Sequence, residues 1–499
     1  MGKEILVLLP VLFPVIAGCL LFVLTRRGNR KVQVNYVTVV LVLETALVLT
    51  AAFMDRTTVE CFCLTPEIRL LLCNDGLSGL FGVLVAVVWL LVGIYSFCYL
   101  KETRKPVMFY GFYLIALGAL QGLGLAGNLV SFYLFYEWVT LMTVPLVFYN
   151  RTKESIRAAK KYLFYSVAGA SFSLAGIFLL AGNTEGLLFA ENAEGLLVTA
   201  NGLRDSVNFT EVSVAAVLLI LGFGTKAGMF PMHGWLPTAH PVAPAPASAV
   251  LSGVITKAGV LGIIRSLYYV IGMEFFAGTY VQTLLLTLSL ITVFMGSMLA
   301  YKEKVLKKRL AYSTVSQVSY VLFGLALFTP AGLAAALLHM VFHSVIKNAL
   351  FLFAGTVIHQ TGVERVEGLR GMGKNMPVTF WSFTFAALAL VGIPPLSGFV
   401  SKWYLAESAM NASVGVFSYL GPAVLLVSAL LTAGYLLSIT ADGFFPGKDY
   451  VAATPEPREG SVSMLIPQGV FALAALLLGI FAAPLYQFVT KLGTSLLLK

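Results

Sequence analysis

The stretch TKAGMFPMHGWLPTAHPVAPAPASAVLSGVITKAG, residues 225–259, sets two lysines inside apolar runs on either side of a proline-rich interruption. Hydrocarbon tolerates neither feature. An ammonium is expensive there, and a proline releases backbone groups that lipid cannot satisfy. Lys226 and Lys257 must therefore be interior groups, surrounded by protein or water within a larger membrane-embedded body.

The rest of the chain is built to supply that body. Of 499 residues 59% are hydrophobic and only 11% charged, a balance that excludes a soluble protein of this length. Apolar runs of ~20 residues recur at about 4–24, 33–54, 77–100, 107–127, 129–149, 158–182 and 212–230. They continue at about 247–270, 280–300, 310–328, 332–358, 378–409, 418–440 and 465–488. The expected fold is an all-α polytopic membrane protein with about fourteen transmembrane helices. The first run has no small-residue cleavage pattern and reads as a retained helix. The loop at about 183–211 and the turn-rich 442–464 segment leave no room for a soluble domain.

The net charge of +10 follows membrane topology. Alternate loops hold 22 lysines and arginines, whereas the opposite side, termini included, holds six. The positive-inside rule then puts both termini outside and the basic loops in the cytoplasm of a prokaryotic cell, at its inner or plasma membrane. Nucleic acid is not an expected partner. Five basic residues remain inside apolar runs: Lys226, Lys257, Arg265, Lys347 and Lys402. Arg265 lies near a helix end and is expected to snorkel; the four lysines lack that escape.

Two runs are broken. The seventh meets Pro231 and four further prolines up to Pro246, and the twelfth contains GIPPLSG at 392–398 with Pro394 and Pro395. Helices 4–8 and 9–13 form two groups of five, each with its broken helix fourth. Because five is odd, the groups enter the membrane from opposite sides, the layout of inverted repeats. The expected divisions are 1–106 (helices 1–3), 107–270 (first repeat), 271–441 (second repeat) and 442–499 (connector and helix 14).

Titratable groups mark the expected ion path. Glu137 stands mid-helix in VSFYLFYEWVTLMTVPLVFY and needs a cation partner or a proton. Lys226, five residues before Pro231, is the candidate partner. Ser248 and Ser252 share a helical face near Lys257, where they hold waters or pack. In LLHMVFHSVIKNALFLF, His339, His343 and Lys347 recur every four residues, a stripe that drifts about 80° around the helix. Imidazoles pass protons near neutral pH, so the stripe suits a relay better than a metal cage, which needs carboxylates or further histidines. Lys402 follows the second break, facing either Glu407 or exit water. His233 and His240 line the first break as gating residues. His359 reads as a solvated cap, and Glu44 as peripheral, packing or partner-facing. Among the five cysteines, Cys61, Cys63 and Cys73 share one loop; a disulfide to Cys73 and free thiols both fit. No cofactor site is expected.

The segment 226–265, with FYEWVTLMTVPL around Glu137 and GIPPLSGFVSKWYL around Lys402, resembles the proton-translocating antiporter-like family. That family comprises Mrp-type sodium/proton antiporter subunits, antiporter-like subunits of respiratory complex I and membrane-bound hydrogenase subunits. The resemblance is strong over roughly 107–410. It implies a gating ion pair of Glu137 with Lys226, a hydrated axis through Lys257, His339 and His343, extended by Lys347, and a last station at Lys402. One complex I member carries glutamate at that station and the largest has a long lateral helix, so neither is the expected match. SGFVSKWYL is closest to the Mrp D-type subunit or its hydrogenase-linked relatives.

The resulting expectation is a proton-translocating subunit of a cation/proton antiporter complex, exchanging protons and Na⁺ beside other membrane subunits. The alternative is an antiporter-like proton-pumping subunit of complex I or a membrane-bound hydrogenase, within an NADH:quinone oxidoreductase or hydrogenase complex. A small-solute transporter is more remote, because four intramembrane lysines suit a proton relay better than a neutral substrate. A lipid-modifying transferase would need an acidic metal cluster that the sequence lacks, and a purely structural anchor would need none of these charges.

Overall fold

A computed structural model describes residues 2–24, 29–63, 65, 69–101, 103, 105–183, 187–189, 198–199, 202–203, 207–447 and 457–496. The chain begins with α1 (Gly2–Leu24) and α2 (Arg30–Ala52), then an antiparallel pair, β1 (Thr57–Cys63) and β2 (Arg69–Asn74). Next come α3 (Gly76–Tyr99), α4 (Pro106–Gly124), α5 (Leu129–Val147) and α6 (Lys153–Ala181). A two-residue strand pair, β3 (Val198–Thr199) and β4 (Gly202–Leu203), precedes α7 (Phe209–Ala227), α8 (Leu236–Val242), α9 (Ala245–Val250) and α10 (Thr256–Ile264). The second half holds α11 (Tyr280–Lys302), α12 (Leu306–Ala326), α13 (Pro330–Thr361), α14 (Pro377–Val391) and α15 (Ser397–Asn411). α16 (Phe417–Phe444), α17 (Val462–Ile480) and α18 (Ala482–Ser495) close the order.

Helix starts follow local chemistry. Side chains of Asn128, Thr152, Asn208 and Thr329 each accept a first-turn amide, and Asp75 forms a capping box with Ser78. Among the described residues twelve helices are long and apolar enough to cross a membrane, α9 and α10 counting as one helix over Ala245–Ile271. Two more occupy expected spans without meeting that test. α14 is short and apolar. α12, LKKRLAYSTVSQVSYVLFGLA, is buried along almost its whole length, so protein rather than lipid satisfies its polar residues. The interior is centred on Ala245–Ile271, wholly buried, and on α13, which is buried along nearly all of its length. Small residues permit the tight crossing of α6 and α7: a Cβ on Gly222 would stand 2.2 Å from Ser173 Oγ.

Two expectations are corrected. The final span does not run through 488 but ends at Ile480, with α18 starting after Phe481. The 55–76 segment is more than a loop, because β1 and β2 pair through it. Its cysteines are free: Cys61 and Cys63 are exposed, while buried Cys73 accepts from Arg56 Nε and Thr58 Oγ1. Parts of the 183–211 loop and the 442–464 connector lie outside the described residues.

Candidate functional site

Both expected breaks exist, and both begin the same way. α7 ends at Gly228 and α14 at Gly392, each in the left-handed conformation (φ +80° and +96°), where a glycine turns the chain without strain. Pro231 and the Pro394–Pro395 pair lie in the non-helical links and are exposed.

Lys226 occupies the last turn of α7 and is buried. Its Nζ donates to Thr140 Oγ1 at 2.6 Å and to the Tyr136 carbonyl at 3.3 Å, and lies 4.3 Å from the Tyr136 ring centroid. Glu137 is the next residue along α5, and the two charges interact. They do not form a contact pair: no ion pair within 4.0 Å joins them among the described residues. Helical geometry explains this. Tyr136 and Thr140 share the face turned to α7, while Glu137 is half-buried on the flank of exposed Leu134 and Leu141.

Lys257 is fully buried at the start of α10, and its Nζ donates to the Ser252 carbonyl at 2.6 Å. That carbonyl lies in a π-helical stretch, Leu251–Ile255, where the usual hydrogen-bond ladder is offset. The expected serine hydroxyls turn elsewhere, Ser252 to Thr314 Oγ1 at 2.7 Å and Ser248 to the His240 carbonyl at 3.0 Å.

On α13, His339 and His343 stack with ring centroids 6.1 Å apart and an interplanar angle of 14°. His339 Nδ1 is 2.9 Å from Ser401 Oγ on α15, and its ring stacks on Tyr320 of α12. Both ring nitrogens of His343 and the Nε2 of His339 are buried without a hydrogen-bond partner among the described residues. Lys347 donates to Ser313 Oγ at 2.7 Å and to the Leu310 carbonyl at 3.0 Å, and Ser313 in turn receives Tyr435 OH. Lys402 caps the first half of the second broken helix, donating to the carbonyls of Leu390 (2.6 Å) and Val391 (3.0 Å). Glu407 is exposed and forms no ion pair with Lys402 among the described residues. The Tyr320 ring is near both His339, at 5.3 Å between centroids, and Lys402, whose Nζ is 5.2 Å from its centroid.

In the first break, His240 is fully buried, stacked on Phe351, and has both ring nitrogens unpartnered among the described residues. His233 is half-buried against Phe230. His359 is exposed at the end of α13 and packs against Tyr99, with ring centroids 5.5 Å apart and planes tilted by 41°. Glu44 is fully buried, which rules out the partner-facing position, and neither carboxyl oxygen is hydrogen-bonded among the described residues.

Three features escape a reading of the sequence. Arg265 does not snorkel; it is fully buried and binds Asp75 through two nitrogens, at 2.5 and 2.9 Å. Lys307 and Arg309, counted with a basic loop, are buried in the first turn of α12. Lys307 donates to the Ala243 carbonyl beside the first break at 2.7 Å. Its signal was position alone, at the boundary between basic loop and apolar run.

Residues 126–432 match the family described as NADH:quinone oxidoreductase/Mrp antiporter, transmembrane. The NADH-quinone oxidoreductase subunit N of Desulforudis audaxviator is 36% identical over 82% of this chain and 81% of its own length. The D-type subunit of the Na(+)/H(+) antiporter of Bacillus subtilis is 30% identical over 98% of this chain and 97% of its own. Among solved structures, a chain of the membrane-bound sulfane sulfur reductase, an archaeal respiratory membrane complex, superimposes with a TM-score of 0.85 at 26% identity. That match covers 98% of this chain and 97% of the other.

Proposed function

Because the chain belongs to the NADH:quinone oxidoreductase/Mrp antiporter family, we propose that it is the proton-translocating membrane subunit of a cation/proton antiporter complex. The observation that carries this reading is a row of buried and half-buried titratable side chains spanning both broken helices. Glu137 and Lys226 act as the gate, Lys257, His339, His343 and Lys347 as the central relay, and Lys402 as the last station. Each lysine in the row is hydrogen-bonded to a carbonyl or hydroxyl oxygen inside the protein. An ammonium so held stays buried without a carboxylate at contact distance, and it can release and regain a proton as its neighbours' charges change.

The Mrp D-type reading draws support from the near full-length similarity to the Bacillus subtilis antiporter protein, and it implies Na⁺ as counter-ion. The redox-linked reading draws support from the higher identity to the Desulforudis audaxviator oxidoreductase relative, and it places the driving chemistry in other subunits. Either way Glu137, open on the flank of α5 beside Leu134 and Leu141, needs a neighbouring membrane subunit to cover it. The two five-helix groups act as inverted repeats, with residues 107–270 and 271–441 each contributing one broken helix. Both termini face outside a prokaryotic plasma membrane, as the positive-inside rule orders them.

The test is exchange in membrane vesicles carrying the assembled complex. Glu137→Ala and Lys226→Ala are each expected to abolish cation-driven dissipation of a pH gradient while leaving assembled protein. Near-normal exchange by either variant overturns the gate.

A further inference from the structure

Arg265 is the largest charged side chain to be fully buried among the described residues, and the row of relay groups does not use it. Its guanidinium donates to both oxygens of Asp75, lies 3.4 Å from the Gly124 carbonyl, and packs against the rings of Phe189 (4.7 Å) and Tyr269 (4.6 Å). Asp75 caps the start of α3 and also accepts the Ser78 amide at 2.7 Å. Four separate parts of the chain thus meet at one guanidinium.

The helix that carries Arg265 has an unusual construction. Over Ala245–Ile271, the α-helical turns of α10 lie between two π-helical stretches, Leu251–Ile255 and Arg265–Ile271. A π stretch takes up about one residue more per turn, so moving it along the chain by a position turns each residue it passes by about 100°. Lys257 sits between the two stretches, and Arg265 is the first residue of the second. They are eight residues apart, about 12 Å along the axis.

We propose that the Asp75–Arg265 pair is a positioning lock, which fixes the rotational register of this helix and so holds the Lys257 ammonium in the relay. The lock rests on the reading of Lys257 as a relay group. Two bonds to a planar guanidinium fix direction as well as distance, which a lysine at the same place could not do. The anchor for the other π stretch is already present in Ser252 on Thr314 and in Ser344 Oγ, which donates to the Gly253 carbonyl at 2.6 Å. With both ends held, the register between them is fixed. The titratable groups whose charges bear on Lys257 are His240 on α8 and His339, His343 and Lys347 on α13. A rotation would change its standing toward all four at once. Around the lock itself stand Arg56, Cys73 and Tyr269.

The experiment measures exchange against pH in vesicles holding the assembled complex, for Asp75→Asn, Arg265→Lys, the exchanged pair Asp75→Arg/Arg265→Asp, and Lys257→Ala. Arg265→Lys keeps the charge and is the mild variant should Asp75→Asn fail to accumulate. The expected result is that each single lock variant lowers exchange about tenfold or more and moves the pH of half-maximal activity, with assembled protein unchanged. The exchanged pair is expected to recover part of the loss. An unaltered pH profile and rate in Arg265→Lys overturn the lock, as does loss of rate in strict proportion to loss of protein. If Lys257→Ala itself exchanges normally, the relay reading fails instead, whatever the lock variants do.

Discussion

The four lysines of the relay row are held in place by two arrangements of oxygen. Lys226 and Lys347 each take one hydroxyl and one carbonyl, Thr140 with Tyr136 and Ser313 with Leu310. Lys257 and Lys402 take carbonyls alone, freed by a π-helical stretch in one case and a helix end in the other. The ammonium positions were legible in the sequence because an ionisable group in an apolar run is an anomaly. Their oxygen partners were not, since serine and threonine are ordinary in membrane helices and a freed carbonyl has no residue type. The Asp75–Arg265 bond was invisible for another reason: its partners lie 190 residues apart, and Arg265 sits where snorkelling was the simpler expectation. At this scale the hydroxyl on Lys226 is open to test. Thr140→Val keeps the shape and removes the acceptor. A hydrogen bond to a charged group contributes about 1.5–3 kcal/mol, so exchange should fall about tenfold or more, ~1.4 kcal/mol being one decade. Thr140→Ser should stay near the parent rate, and equal loss in both variants would mean that packing, not the hydroxyl, matters there.

The broken helices were the most legible elements, because proline clusters and the preceding glycines leave a plain mark on sequence. Gly228 and Gly392 both end a half-helix at positive φ, and the helix resumes at Leu236 after the first break and at Ser397 after the second. Less legible were the split between α17 and α18 at Phe481, where Gly479 and Pro484 flank a run that stays apolar on both sides, and the β1–β2 pair, whose residues show no clean alternation. Gly392 ties the element to the site. A Cβ there would lie 3.2 Å from Lys402 Cδ, in a conformation that costs an L-residue about 1–2 kcal/mol. Gly392→Ala should therefore lower the thermal unfolding midpoint in detergent and reduce exchange together. Gly469→Ala is the matched control, because nothing lies within 4 Å of a Cβ placed on that residue. A Gly392→Ala protein as stable and active as the control would show that the left-handed turn is not required at the second break.

For the molecule as a whole, the question is what joins the first three helices to the remainder. The Asp75–Arg265 pair is one answer, since it binds the start of α3 to the helix that carries Lys257, deep in the interior. Burial alone would push the Asp75 carboxyl up, but the Arg265 charge and hydrogen bonds, with the Ser78 amide, hold it below the ordinary aspartate value. The sign follows from that depression. A carboxyl whose value is lower in the folded state stabilises the fold at every pH above its unfolded value, and that contribution fades as pH falls toward the folded one. The pair should therefore contribute a constant amount from neutral pH down to about pH 4 and lose it only in stronger acid. It is a fixed tie across the physiological range, not a switch. Thermal unfolding in detergent, followed from pH 8 to pH 3, tests this directly. The parent should weaken below about pH 4, and Asp75→Asn should begin less stable at pH 7 and lack that share of the acid loss. Curves that stay parallel across the whole range would mean that the pair does not bind the N-terminal helices to the core.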